Sequence, residues 1–208
     1  MKKDRAFTEQ FLSDLRTLNQ QVERAAHSWT IFLESARNFD SESQKALIKA
    51  IDEREIGVTL NHIQMVLLHD CVSSLNRVTD KHRPDRITMY SVSLHIRKCF
   101  RASEPEKLKK IERKRKAILK SPKLVELRTF RNNELGHTLR TDTPPTKYDA
   151  IPTLIVDISD WLSDVFYLFG YAQWVGQSTP VHLKKSASKF WSCIEDGLGP
   201  RVGSDKQT

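Results

Sequence analysis

The sequence predicts an all-α protein, a bundle of five or six helices. In its longest segments, apolar residues recur at alternating steps of three and four, the spacing of one face of an α-helix. No segment keeps the apolar–polar alternation of a strand. Only 7 glycines and 8 prolines occur in 208 residues, fewer than a turn-rich all-β fold needs.

The composition predicts one domain in a reducing compartment. A chain of this length can bury a core without disulfides. Its three cysteines lie far apart and form neither a disulfide framework nor a CxxC zinc motif. No apolar run follows the first residues, so we expect no secretory signal and a cytoplasmic location. We expect a helical domain at residues 5–196 and a disordered tail at 197–208.

The first helix is predicted over residues 5–37. Its apolar stripe consists of Phe11, Leu15, Leu18, Val22, Ala25, Trp29, Phe32 and Ala36. Such a stripe either packs inside a bundle or forms the seam of a coiled-coil-like dimer. Packing inside the bundle is the commoner case.

The second helix is predicted over residues 42–79 and is densely apolar in its later part, which is typical of a central helix. His62 and His69 lie seven residues apart on it. A metal site would need further ligands that the sequence does not supply, so we interpret them as core histidines with hydrogen-bond partners. The polar segment 81–87 then forms a loop.

The remaining helical segments are 88–102, 103–120, 121–135 and 149–177, with a short helix as a candidate at 184–194. Two of them begin with a serine followed by a proline in the first turn, Ser103 with Pro105 and Ser121 with Pro122. Serine is a favoured N-cap and proline fits the first turn. Gly136 is expected to end the helix that Ser121 begins.

The positive charge is concentrated in one stretch. Residues 97–128 contain thirteen basic and four acidic residues, a net charge of +9 against +8 for the whole chain. A clustered basic surface is typical of nucleic-acid binding, although a solvated helix face has the same composition. The candidate RNA-binding residues are Lys109, Lys110, Arg113, Lys114, Arg115 and Lys116.

No metal or nucleotide-binding motif occurs in the chain. It has no glycine-rich phosphate loop, no GxSxG, no HExxH and no EF-hand loop. Asp157, Asp160 and Asp164 share one helix face, but no fourth ligand lies at a suitable spacing. We interpret them as a solvated or salt-bridged face, and we expect no cofactor.

The segment Arg131-Asn132-Asn133-Glu134-Leu135-Gly136-His137 combines the residue types that metal-free RNA cleavage needs. Arginine has a permanent charge and a forked donor geometry that fits phosphate, and histidine exchanges protons near neutral pH. Because Gly136 lets the chain leave the helix, His137 can approach Arg131. A base could then deprotonate a ribose 2′-OH while arginine stabilises the phosphoryl oxygens.

A second arginine–histidine pair occurs at Arg77 and His82. The arginine–histidine spacing alone therefore does not distinguish the two pairs. The residues around each pair favour the one at Arg131. Arg131 is followed by an asparagine, precedes a glycine-terminated helix end and follows the basic stretch. We interpret Arg77 and Asp80 as a buried pair that braces the bundle.

The RNNELGH segment resembles the signature of the HEPN superfamily: an arginine, a polar residue, four to five further residues and a histidine. The segment LNRVTDKHRPDRITMYSV also resembles the abortive-infection branch of that superfamily. The resemblance implies a helical bundle that acts as a homodimer, with two motifs facing one cleft, and a metal-independent ribonuclease activity. It makes Arg131 and His137 catalytic, with Asn132 positioning the arginine or the RNA.

The sequence departs from one toxin branch of the superfamily. That branch has a tyrosine two residues after the histidine, which its nucleotidyltransferase antitoxin adenylylates, whereas Leu139 stands here. The resemblance thus does not support that partner and leaves open another antitoxin or defence-system partner, while the composition predicts no membrane partner. Three hypotheses follow, in order: an endoribonuclease in phage defence or acting as a toxin, a non-catalytic RNA- or nucleotide-binding module, and an interaction protein that uses the Phe11–Ala36 stripe.

Overall fold

The computed structural model describes residues 5–35, 49, 51, 53, 57–81, 85–100, 103–132, 148–170 and 179–198. These residues contain no strand and seven helices: α1 (Arg5–Ser35), α2 (Gly57–Thr79), α3 (Met89–Phe100), α4 (Pro105–Lys120), α5 (Pro122–Phe130), α6 (Ala150–Leu168) and α7 (Thr179–Leu198). The all-α prediction is confirmed. The described part holds more helices than the five or six predicted, because the segment predicted as a short candidate forms a full helix of 20 residues.

Helix α1 contributes its apolar stripe to the core. Its members from Phe11 to Trp29 are buried, and Phe32 packs against the same cluster. The prediction of packing inside the bundle is therefore confirmed for these residues, whereas Ala36 lies outside the described residues. The hypothesis that this stripe is a partner surface is wrong, because other helices already cover it.

Helix α2 runs antiparallel to α1. Gln64 Nε2 near its start donates to the carbonyl oxygen of Ser35, at 2.9 Å. Two turns later, Asp70 accepts hydrogen bonds from Arg24 Nε at 2.9 Å and from Ser28 Oγ at 2.7 Å. The buried residues of α2 begin at Leu68.

The prediction that the two histidines of α2 lie in the core is wrong. His62 and His69 are both exposed rather than in the core. The buried side chains from Leu68 to Val78 occupy one face of the helix, and these histidines lie off that face. Their spacing of seven residues, two turns of an α-helix, indicated a shared face but not which face would be covered.

Helix α6 packs against both α4 and α1. Its Trp161 is fully buried and donates its indole N–H to the carbonyl oxygen of Ile111 in α4, at 3.2 Å. After its last turn, Phe169 stacks on Phe11 with ring centroids 4.6 Å apart. Before its first turn, Tyr148 packs edge-on against Phe32 at 5.7 Å. Helix α6 is thus antiparallel to α1.

None of the helices in the described ranges is both long and apolar enough to cross a membrane. The last helix ends at Leu198, two residues into the predicted tail. Residues 199–208 lie outside the described residues.

Candidate functional site

Helix α5 is fixed at both ends before it reaches the candidate site. Ser121 caps its start, as predicted, by accepting the amide N–H of Lys123 at 3.2 Å, and Pro122 occupies the first turn. Near its end, Arg128 Nη2 donates to the carbonyl oxygen of Thr79, the last residue of α2, at 2.9 Å. This bond joins α5 to α2 across the bundle.

Arg131 and Asn132 follow directly after α5, in a π-helical turn. Both side chains are exposed. Asn132 Oδ1 accepts from Arg131 Nε at 3.2 Å and from Arg131 Nη2 at 3.1 Å. A single amide oxygen thus holds one edge of the guanidinium, and no other group in the described part of the chain bonds Nη1 or the second hydrogen of Nη2.

An aromatic cluster supports this turn. Phe130, the residue before Arg131, is buried and packs edge-on against Tyr148 with centroids 5.7 Å apart. Tyr148 in turn contacts Phe32 and Trp29 of α1. Because buried aromatic contacts limit movement of the backbone next to them, the arginine is attached to a fixed part of the bundle.

The other half of the predicted motif lies outside the described residues. Gly136, His137 and Leu139 all fall between 133 and 147. Arg131 and Asn132 are therefore the members of the predicted catalytic set whose geometry is described, and the structure brings these two together.

Near the second arginine–histidine pair, Asp80 has a different partner from the one predicted. Asp80 accepts from Arg86 Nη1 at 3.2 Å, and Arg77 is exposed. The predicted buried Arg77–Asp80 pair is therefore wrong, because the loop after α2 brings a different arginine to the aspartate. His82 lies outside the described residues.

Two of the predicted RNA-binding residues of the basic helix α4 form ion pairs with α6. Lys110 pairs with Asp164 at 3.1 Å, and Lys114 pairs with Asp160 at 2.6 Å and with Asp164 at 2.5 Å. The interpretation of the α6 aspartates as a salt-bridged face is confirmed for these two.

Arg115, another of the predicted RNA-binding residues, is buried. Only 7% of it is exposed, it pairs with Glu112 at 3.0 Å, and its guanidinium lies over the ring of Tyr90. Lys109 pairs with Glu106 at 2.7 Å on the open surface. Arg113 and Lys116 are exposed, and no acid of the described ranges pairs with either.

Acid titration should weaken the α4–α6 contact. Burial alone would raise the pKa of Asp164, but hydrogen bonds and charges from Lys114 and Lys110 outweigh it and lower that pKa. A carboxylate with a lowered pKa in the folded state stabilises the protein above its unfolded pKa, about 3.9. That contribution is lost as the pH falls through the lower, folded value.

We therefore expect the free energy of unfolding to fall as the pH drops below about 4, and Asp164→Asn to flatten this fall. Urea unfolding at several pH values measures it. Asp157→Asn is the matched control, since no described cation pairs with Asp157. Equal pH profiles for wild type and Asp164→Asn would contradict the assignment.

The described residues offer no assembled metal site, and the buried cysteine of α2 is not activated. No three His, Cys, Asp or Glu side chains among them are placed to hold one metal ion. Cys71 is buried and its pKa is raised by that burial and by the neighbouring Asp70 charge, so its thiol stays protonated at neutral pH.

Sequence reasoning missed one basic feature. Helix α7 has a shallow, open groove lined by Lys184, Lys185, Ser188, Lys189, Ser192 and Cys193. The available signal was the run of lysines and serines with no acid between residues 184 and 193.

One comparison with known proteins identifies the family. No curated protein and no solved structure matches the chain. The family model HEPN_AbiU2, described as AbiU2, matches residues 7–190, which contain α2 to α6 and most of α1 and α7. This confirms the resemblance to the abortive-infection branch of the HEPN superfamily, and the chain belongs to the AbiU2 family of HEPN proteins.

Proposed function

We propose that this protein is a metal-independent endoribonuclease that acts in phage defence or as a toxin. The observation that carries the proposal is the exposed Arg131, held by Asn132 on a fixed helix end. An arginine oriented in this way, with donors still available, suits a phosphate group. Family membership supports a role in abortive infection.

The proposed reaction is an internal transesterification. The ribose 2′-oxygen attacks the adjacent phosphorus and loses its proton to a base. The bond from phosphorus to the 5′-oxygen breaks, and that oxygen takes a proton from an acid. The products are a 2′,3′-cyclic phosphate and a 5′-hydroxyl, so neither an oxidant nor external water is consumed.

His137 is the residue we assign to proton transfer, since imidazole changes protonation near neutral pH. Arg131 neutralises the charge that develops on the non-bridging phosphoryl oxygens. Asn132 is a positioning residue, because it fixes the plane of the guanidinium and leaves the outer donors available.

A homodimer would supply two copies of the motif to one cleft, as the superfamily resemblance implies. One histidine could then act as base while the other acts as acid. This assembly is part of the proposal, as is an antitoxin or defence partner that restrains the activity.

The proposed chemistry requires a ribose at the cleaved bond. The test uses a single-stranded DNA oligonucleotide with one internal ribonucleotide, beside all-RNA and all-DNA strands of the same sequence, in EDTA. We expect cleavage of the RNA, cleavage of the chimera directly 3′ of its ribonucleotide, and none of the DNA.

Cleavage of the all-DNA strand would contradict the reaction. Salt-sensitive binding of RNA without any product would instead favour the alternative function, a non-catalytic RNA- or nucleotide-binding HEPN-like module.

A further inference from the structure

The groove on α7 has the composition of a phosphate-binding surface. Its lining residues form two rows at four-residue spacing: Lys184, Ser188 and Ser192 in one, and Lys185, Lys189 and Cys193 in the other. Side chains four apart in an α-helix lie on the same face. The groove therefore presents three ammonium groups from one face of one helix.

These lysines differ from those of α4 in having no described acidic partner. Lys184, Lys185 and Lys189 are all exposed, and no ion pair joins them to an acid in the described part of the chain. In α4, by contrast, Lys110 and Lys114 are paired with α6. A lysine without a pairing acid can contact an anionic ligand without first breaking an ion pair.

The groove lies at the same end of the bundle as Arg131. Ser188 Oγ donates to Glu34 Oε2 of α1 at 2.7 Å, which fixes α7 beside the end of α1. Phe32, two residues before Glu34, contacts Tyr148, and Tyr148 contacts Phe130. Residues two apart in a helix face different sides, so α7 and Tyr148 pack on different sides of the same end of α1.

The paired lysines of α4 lie nearer the opposite end. Lys110 and Lys114 are level with Asp164 and Asp160, late in α6. Tyr148, by contrast, precedes the first turn of α6. The α7 groove therefore shares an end of the bundle with Arg131, whereas these two α4 lysines lie further along the bundle.

We propose that the α7 groove binds the phosphate backbone of single-stranded RNA. The inference rests on the proposed function for the identity of the ligand. Lysines bind phosphates as point charges with no preference for a base. The groove would therefore hold the strand without selecting a sequence.

The test is binding of a fluorescein-labelled 20-nucleotide RNA to the full-length His137→Ala protein, followed by anisotropy at several salt concentrations. The variant carries Lys184→Glu, Lys185→Glu and Lys189→Glu. The matched control carries Arg16→Glu, Lys81→Glu and Lys98→Glu, which change the net charge equally at exposed positions elsewhere.

We expect the α7 variant to lose about 10- to 100-fold in affinity, with a salt dependence shallower by about two units, since each phosphate contact to a single strand contributes about 0.7. The control should lose far less. Equal losses in the two variants, or no loss in the α7 variant, would overturn the inference.

Cys193 supplies a second readout that needs no charge reversal. It is exposed and lines the groove, whereas Cys71 is buried. In a Cys99→Ser background, bound RNA should slow the alkylation of Cys193 by N-ethylmaleimide at least several-fold, and unchanged alkylation would overturn the inference. If wild type does not cleave RNA while these two results hold, the proposed function fails and the binding groove stands.

Discussion

Replacing His137 with alanine is expected to reduce RNA cleavage by about 10²- to 10⁴-fold, the usual contribution of a general acid or base. The substitution removes the proton-transfer group but leaves Arg131 and the groove in place, so RNA affinity should change little. Single-turnover cleavage of labelled RNA in EDTA measures the rate, and anisotropy measures the affinity.

Two other histidines give matched controls for this substitution. His69→Ala changes an exposed histidine of α2 and should leave cleavage unaffected. His82→Ala changes the histidine of the second arginine–histidine pair and should also have little effect. If His82→Ala abolished cleavage and His137→Ala did not, the site would be wrongly assigned.

Substitutions at Arg131 and Asn132 separate charge from orientation. Arg131→Ala should cost about as much as His137→Ala, because it removes the charge that stabilises the phosphoryl oxygens. Asn132→Ala keeps that charge but removes the acceptor of two arginine hydrogen bonds. We expect it to lower kcat by less than Arg131→Ala does, and we expect Asn132→Gln to restore part of the loss.

Replacing Glu112 with alanine should destabilise the protein by about 2–3 kcal/mol, since it leaves a buried arginine without its partner. Glu112 is paired with Arg115 at 3.0 Å and with Arg97 at 2.5 Å. Its side chain is 14% exposed and that of Arg115 is 9% exposed. Burial alone would raise the pKa of Glu112, but the two arginines lower it.

Urea unfolding at neutral pH measures this loss. Glu106→Ala is the matched control on the same helix, because its pair with Lys109 is open to solvent and should contribute less than about 0.5 kcal/mol. Similar losses in both variants would show that the Glu112 pair is no stronger than a surface pair.

Local signals in the sequence predicted the described helices, although α6 ends at Leu168 rather than at residue 177, because Gly170 follows with a positive φ. The stripe of α1 follows from apolar spacing, and the start of α5 follows from Ser121 and Pro122, because both depend on residues close together in the chain. The start of α4 differs by one residue from the prediction, since Glu104 rather than Ser103 takes the N-cap position.

Pairings between distant residues could not be predicted in the same way. The +9 stretch suggested an open basic surface, but Asp160 and Asp164, about fifty residues later, neutralise part of it. Arg86 reaches Asp80 only because of the loop geometry. Which cations remain unpaired depends on the packing of helices, and local charge patterns do not reveal it.

Only the local part of the candidate site could be predicted from the sequence. Arg131 and Asn132 are neighbours in sequence, and their contact is local. The relation between this turn and α7 depends on Phe130, Tyr148 and α1, three separate parts of the chain. It therefore emerged only from the fold.

The most direct test of the central claim is the identity of the product ends. RNA is incubated with wild type and with His137→Ala in EDTA, and the fragments are analysed by mass spectrometry. We expect 2′,3′-cyclic phosphate and 5′-hydroxyl ends with wild type and almost no product with the variant. Fragments with 5′-phosphate and 3′-hydroxyl ends, or equal cleavage by both proteins, would contradict it.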